Sequence, residues 1–484
     1  MELCGKMSEI QSVFKNTSWL SLAQVTNTAF AFVWIILIAR YLGVGDFGVL
    51  SFATAFGGIV QIFTDLGLST YITRELSRNP ESTKKIISNS IPLKIVISTI
   101  IFILTFIILN LIGYDKLTIE VTLIITLQTI FMSMGYLFNG VFQAHEKMKY
   151  QAIGILINTI LMFVGFLVGI FLDLGIISIA LVYLIGSIIT LIYLYYKTST
   201  KIVSPKIEIN KSSWNNLIKS SMAFGLITVL TTLYFMIDTI MLSFMKGEVA
   251  VGTYSAAYKF IMVFTTVYTV YTYVIFPLMS KLHKNSKELL KVTYEKSIKY
   301  LLILILPIAI LVSFYAKDLV LLVYGQEYAS SAIVLVILIW NMIFLFVNGA
   351  STSLLNSTDK EIKVTWINGI ACAFNIIINL FLIHYWSYVG ASISVVLTGL
   401  LLTILMNHEI AKLFKIDTKL IKDIFKIIIG TIIIAIILHF THLTIIPGVI
   451  VSLIIYLIFI ISVKTIDNTD IYLIKEILGK NSKE

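Results

Sequence analysis

Apolar runs of about twenty residues recur along the whole chain, and they leave few folds open. A helix needs ~20 mostly apolar residues to cross a bilayer. Marking such runs between charged or Pro/Gly-marked breaks gives fourteen, at 17–39, 47–72, 93–113, 119–143, 150–172, 175–196, 217–244, 249–280, 298–315, 328–355, 364–385, 388–408, 427–441 and 445–463. The composition agrees, with 58% hydrophobic and 13% charged residues, where a soluble domain carries about 25% charged. A soluble enzyme, a disordered chain and a secreted disulfide scaffold are excluded. The expected fold class is all-α, a polytopic membrane protein with 14 transmembrane helices.

The net charge of +10 would suggest nucleic acid binding in a soluble chain. Here the lysines gather in short loops between apolar runs, so no nucleic acid partner is expected. With the N-terminus in the cytoplasm, most basic residues fall inside, Lys84, Lys85, Lys94, Lys281, Lys284 and Lys299 among them. Outside fall only Arg40, Lys116, Lys246 and Lys317, while Lys259 lies within a span. This asymmetry follows the positive-inside rule. It predicts a multi-pass protein of the cell (plasma) membrane with both termini cytoplasmic. Residues 1–16 are mixed polar and the run from Trp19 has no A-x-A cleavage pattern, so the first span reads as a retained anchor rather than a signal peptide. The longest outer loop runs from Ala316 to Glu327, which leaves no room for an inserted soluble domain.

The chain repeats itself. Phe47-Gly48-Val49-Leu50-Ser51-Phe52-Ala53 lines up with Val251-Gly252-Thr253-Tyr254-Ser255-Ala256-Ala257, and Phe142–Lys147 with Leu355–Lys360. Spans one to six therefore resemble spans seven to twelve. Six is an even number, so the halves share one orientation, as in transporters whose two bundles rock about a central site. The expected division is a six-helix lobe over 1–200, a second over 201–415, and helices 13 and 14 with a cytoplasmic tail over 416–484.

Ionisable groups at membrane depth cost about 2.5–3.5 kcal/mol each and normally face a cavity or a partner. Asp238 and Lys259 lie on adjacent spans, where they form either part of a hydrated cavity or a structural ion pair. Lys259 in a cavity would attract a phosphate as a point charge. Asp65 sits near the inner end of span two, placed to pair with Arg74 or to cap a helix. Arg40 sits at a span end, from which it can snorkel to the outer interface. Tyr234, Asn27, Asn139, Gln143 and Asn348 are polar groups within spans, as substrate contacts or as interhelical glue. Pro277, Pro307 and the glycines at 43, 45 and 48 are candidate hinges or fixed kinks.

Enzymatic chemistry is hard to find. No G-x-x-x-x-G-K-[ST] loop, HExxH or DxD occurs, and the six histidines are scattered. Cys4 and Cys372 are isolated, so there is neither a disulfide framework nor a CxxC metal site. No catalytic residue, metal or cofactor is expected.

The stretch Ile38-Ala39-Arg40-Tyr41-Leu42-Gly43-Val44-Gly45-Asp46-Phe47-Gly48, followed by Phe63-Thr64-Asp65-Leu66-Gly67-Leu68, resembles the N-terminal signature of polysaccharide biosynthesis flippases. These are the O-antigen repeat-unit translocases of the multidrug/oligosaccharidyl-lipid/polysaccharide superfamily. Ile237–Leu242 and Gly252–Ala257 look similar as well. The resemblance implies a V-shaped pair of six-helix lobes plus two extra helices. It implies movement of a lipid-linked oligosaccharide, on a polyprenyl phosphate or pyrophosphate carrier, from the inner to the outer leaflet by alternating access. Membrane lipids, that glycan, and a glycan polymerase or glycosyltransferases of the same pathway are the partners it implies. Family lumens are often lined by several cations, and this sequence departs from that. The alternatives are a cation-coupled small-molecule exporter of the same superfamily and a membrane glycan transferase or polymerase.

Overall fold

The structure is a computed structural model that describes residues 2–466, with no side chains given for residues 2–18 and for several positions between 223 and 274. Among the described residues all regular structure is helical. Ten helices are long and apolar enough to cross a membrane. Two of them are broken by one non-helical residue each, α1 (Glu2–Asp65) at Gly43 and α12 (Glu361–Ala411) at Ser387. The protein is a multi-pass, all-helical membrane protein. The chain divides into two compact units between Ser255 and Ala256.

The first unit holds α1, α2 (Leu68–Arg78), α3 (Thr83–Ile112), α4 (Lys116–Ala144), α5 (Met148–Phe171), α6 (Gly175–Lys201), α7 (Lys211–Lys246) and the start of α8 (Glu248–Asn285). Local chemistry sets several helix ends. The Asp115 carboxylate accepts hydrogen bonds from the Leu117 and Thr118 amides at 3.0 and 3.2 Å and starts α4. Asn210 caps α7 in the same way through Ser212 and Ser213. Gly113, at φ 85°, ends α3.

The apolar run expected over 47–72 is not one helix. It breaks at Leu66 and Gly67, both at positive φ, and restarts as α2. Gly67 is required there, because a Cβ would overlap the backbone of Gly225 on α7. The helix α2 is amphipathic: Leu68, Ile72 and Leu76 are buried against Leu137, Phe138, Val141 and Phe142 of α4 and Ile87 and Leu93 of α3. Its period-3.6 pattern is that of a helix with one apolar face rather than a membrane span.

The two aligned repeat segments meet within this unit. A Cβ on Gly48 would overlap the Glu248 carbonyl oxygen, and a Cβ on Gly252 would overlap the Val44 carbonyl oxygen. The α1 and α8 backbones thus cross at two glycines that occupy equivalent places in the repeat.

The second unit comprises the rest of α8, α9 (Lys287–Phe314), α10 (Ala316–Tyr324), α11 (Ser331–Ser357), α12, α13 (Thr418–Thr441) and α14 (Ile445–Ser462). The segment expected as a loop from Ala316 to Glu327 instead forms α10 and a 3-10 turn over Gln326–Tyr328. Buried Val320 and Tyr324 hold it against the unit. Polar side chains tie the long helices together. Tyr456 donates to the Ile303 carbonyl at 3.1 Å, linking α14 to α9, and Tyr315 donates to the Leu443 carbonyl at 2.9 Å. The kink at Ser387 folds α12 so closely that a Cβ on Gly390 would overlap the Leu382 carbonyl.

Two lysines counted with the cytoplasmic segments, at the inner ends of the spans expected over 93–113 and 298–315, lie well inside helices. Lys94 is in α3 and Lys299 in α9, and both are buried. Lys299 donates to the Thr465 carbonyl at 3.2 Å. The expected tail from 467 onward lies outside the described residues.

Candidate functional site

Residues on α2, α4, α5 and α7 enclose a cavity of about 600 Å³ in the first unit. The α2 helix presents Ser69, Thr70, Thr73 and Arg74 to it, because its other face carries the buried leucines and Ile72. The α4 helix adds Tyr136, Asn139 and Gln143, α5 adds Gln151, and α7 adds Phe224. Gly140 lets α2 lie close on α4, since a Cβ there would sit 2.9 Å from the Thr73 hydroxyl.

One wall rests on a buried ion pair. Lys94, with no exposed side-chain surface, donates to the Asp65 carboxylate at 2.7 Å and to the Ser133 carbonyl at 2.6 Å. Asp65 also accepts from the Ser69 hydroxyl at 2.5 Å and from the Ser69 amide at 3.4 Å. It therefore caps α2 while neutralising Lys94. The sequence offered Arg74 as the partner of Asp65, and the structure gives Lys94 instead. Arg74 lies over the Phe224 ring, 5.0 Å from its centroid, a cation–π stack.

Inside the cavity Gln143 donates to Gln151 at 3.1 Å. The Asn139 side-chain oxygen is buried and has no hydrogen-bond partner among the described residues. A buried carbonyl without a donor is costly. The cavity thus combines one guanidinium with hydroxyls, amides and aromatic rings, the groups that bind sugars and anions.

The other sequence candidates lie elsewhere. Asn27 accepts from Thr159 at 2.9 Å and joins α1 to α5. Asn348 donates to the Gly399 carbonyl at 3.1 Å and accepts from Thr403 at 2.9 Å, joining α11 to α12. Arg40 is exposed. Asp238 is buried in α7 and Lys259 is half-buried in α8. The Tyr234 side chain lies outside the described residues. The second unit holds a separate buried cluster in which Asn375 donates to Ser394 and Thr398 at 3.3 and 3.4 Å, and Asn379 donates to Asn375 at 3.1 Å.

Sequence reasoning found Asn139, Gln143 and Asp65 but missed Lys94 as a buried group. The signal was the apolar run on both sides of it, Ile91-Pro92-Leu93 before and Ile95-Val96 after, which marks a lysine inside a helix.

The chain is similar to known proteins along most of its length. It is 24% identical over 410 residues to the probable low-salt glycan biosynthesis flippase Agl15 of Haloferax volcanii, covering 82% of this chain and 83% of that one. It is also 24% identical over 420 residues to an uncharacterized membrane protein of Methanocaldococcus jannaschii, covering 81% and 82%. In fold it is similar to the lipid II flippase MurJ in an inward closed conformation, with a TM-score of 0.77 and 16% identity over 91% of this chain and 97% of MurJ. A MatE family model matches residues 224–381. The polysaccharide biosynthesis protein family model matches residues 13–283, more than half of the chain, and the chain belongs to that family.

Proposed function

We propose that the protein is a transporter rather than an enzyme, and that it moves a lipid-linked oligosaccharide from the inner to the outer leaflet by alternating access. The carrier is a polyprenyl phosphate or pyrophosphate. The observation that carries this reading is the polar cavity of the first unit, an unusual feature in a chain with 58% hydrophobic residues. A saccharide head cannot enter hydrocarbon without losing its hydrogen bonds to water, and hydroxyls and amides in a cavity replace them. The names of the relatives, a glycan biosynthesis flippase and a lipid II flippase, support the same substrate class.

The proposed topology has fourteen membrane helices, both termini cytoplasmic in the plasma membrane, and a repeat of two six-helix lobes over 1–200 and 201–415. In that orientation the cavity, beside the α4–α5 turn, opens near the inner leaflet, where a glycan assembled in the cytoplasm is loaded. A polymerase or glycosyltransferase of the same pathway is the proposed protein partner. Asp238 and Lys259 are the proposed substrate or coupling-ion residues on α7 and α8. The MatE match over 224–381 supports a second reading, a cation-coupled exporter of small molecules.

Proteoliposomes containing the native lipid-linked glycan test the proposal. The wild-type chain should expose the glycan to an external probe, and Asp238→Ala or Lys259→Ala should slow this while inserting normally. A wild-type chain that exports a small cationic drug but leaves the glycan in place would select the second reading.

A further inference from the structure

We propose that the cavity of the first unit is a subsite for a sugar bearing a single negative charge, with the Arg74 guanidinium as its anchor. This rests on reading the chain as a glycan flippase and adds the charge of the glycan that it selects.

Arg74 is the charged residue among those lining the cavity. Its Cζ lies 5.0 Å from the Phe224 ring centroid, and a guanidinium binds an oxyanion through two parallel hydrogen bonds of its planar fork. No carboxylate pairs with Arg74 among the described residues. Asp65 does not oppose it, because Lys94 already holds that carboxylate at 2.7 Å. The cavity therefore presents one uncompensated positive charge.

That charge matches a carboxylate or a phosphodiester. A pyrophosphate would bring at least one further negative charge that no second cation lining the cavity meets. The remaining groups suit the sugar ring itself. Ser69 and Thr73 offer hydroxyls, and Asn139, Gln143 and Gln151 offer side-chain amides. The volume of about 600 Å³ lies within the range of small-molecule pockets and admits a short saccharide rather than a lone ion.

The single oxyanion has two sources: the carboxylate of an acidic sugar, or a phosphodiester that links a sugar to its neighbour or carrier. Binding of soluble probes to the full chain in lipid nanodiscs, followed by saturation-transfer NMR and calorimetry, tests the site. The probes are glucuronic acid, a methyl phosphodiester of glucose, neutral glucose and inorganic pyrophosphate. At least one monoanionic sugar should bind about tenfold more tightly than glucose, the scale of one charge-assisted hydrogen-bond pair. Arg74→Gln should remove that advantage, so that the monoanion and glucose bind alike. Arg74→Lys should keep part of it, because the charge stays while the fork is lost. Whichever monoanion binds better identifies the source. The proposal is overturned if neither monoanion exceeds glucose, if Arg74→Gln keeps the preference, or if pyrophosphate binds most tightly. Transport is read separately. Arg74-dependent binding without flipping removes the transport reading and keeps the subsite, and flipping with Arg74-independent binding does the reverse.

Discussion

Removing the Asp65 carboxylate should leave Lys94 as an isolated cation inside the first unit. Lys94 has no exposed side-chain surface, and its ammonium is held by Asp65 at 2.7 Å and the Ser133 carbonyl at 2.6 Å. In Asp65→Ala only the neutral carbonyl remains. Breaking one side of a buried pair costs about 3–5 kcal/mol, and a lysine without a partner at membrane depth costs about 2.5–3.5 kcal/mol. The two ranges overlap near 3 kcal/mol, which is about a hundredfold in the unfolding equilibrium. Lys94→Met should cost much less, about 1 kcal/mol, because Asp65 is partly exposed and keeps both bonds from Ser69. The double variant should lie close to Lys94→Met, since it has no buried charge left to satisfy. The cycle should therefore give a coupling of about 3 kcal/mol. Unfolding in mixed micelles of increasing SDS content, followed by tryptophan fluorescence, measures all four proteins. If Asp65→Ala matches the wild type, or if the double variant shows the sum of the single losses, the pair does not hold the cavity wall in the way described.

Three further outcomes follow from the geometry. Gly48→Ala and Gly252→Ala should each lower the melting temperature of the purified protein more than Gly45→Ala, because a Cβ at the first two overlaps a carbonyl whereas Gly45 has open space around it; equal melting of the three would refute the backbone crossing. Asn348→Ala should cost about 1 kcal/mol by the same SDS titration, the usual worth of interhelical polar contacts in membranes, through loss of its bonds to Gly399 and Thr403; a loss of flipping with no loss of stability would instead place it in the substrate path. Burial, helped by the Lys147 charge, pushes the His145 imidazole below its ordinary 6.5. The folded chain thus resists a proton that the unfolded chain accepts, so this contribution is full above pH 6.5 and is lost as pH falls through the lowered value. The protection of the start of α3, which His145 reaches through Thr83 at 3.3 Å, measured as exchange relative to the intrinsic rate at each pH, should fall on acidification in the wild type and not in His145→Gln.

The membrane fold was legible because length and apolarity alone decide it, and the ten apolar helices need no tertiary information to be recognised. The break after Asp65 was harder. Leu66 and Gly67 sit in a stretch read as a single span over 47–72, and only the contact with Gly225 of α7 shows why the chain turns there. Lys94 and Lys299 were counted with the cytoplasmic segments because a charge next to an apolar run reads as its boundary, whereas Asp65 and the Thr465 carbonyl hold them buried within helices. Asn139 and Gln143 were visible as polar residues in a span. That they line one cavity with Arg74 was not, because that guanidinium comes from a different helix whose position α4 and α7 set.

The crossing at Gly48 and Gly252 also bears on motion. Two backbones in direct contact carry no rotamers that must be ordered when they meet or released when they separate, so the side-chain entropy change at that point is close to zero. Phe47, Val251 and Tyr254 beside the crossing are buried, so turning one helix on the other would have to repack them, and neither glycine tolerates added mass.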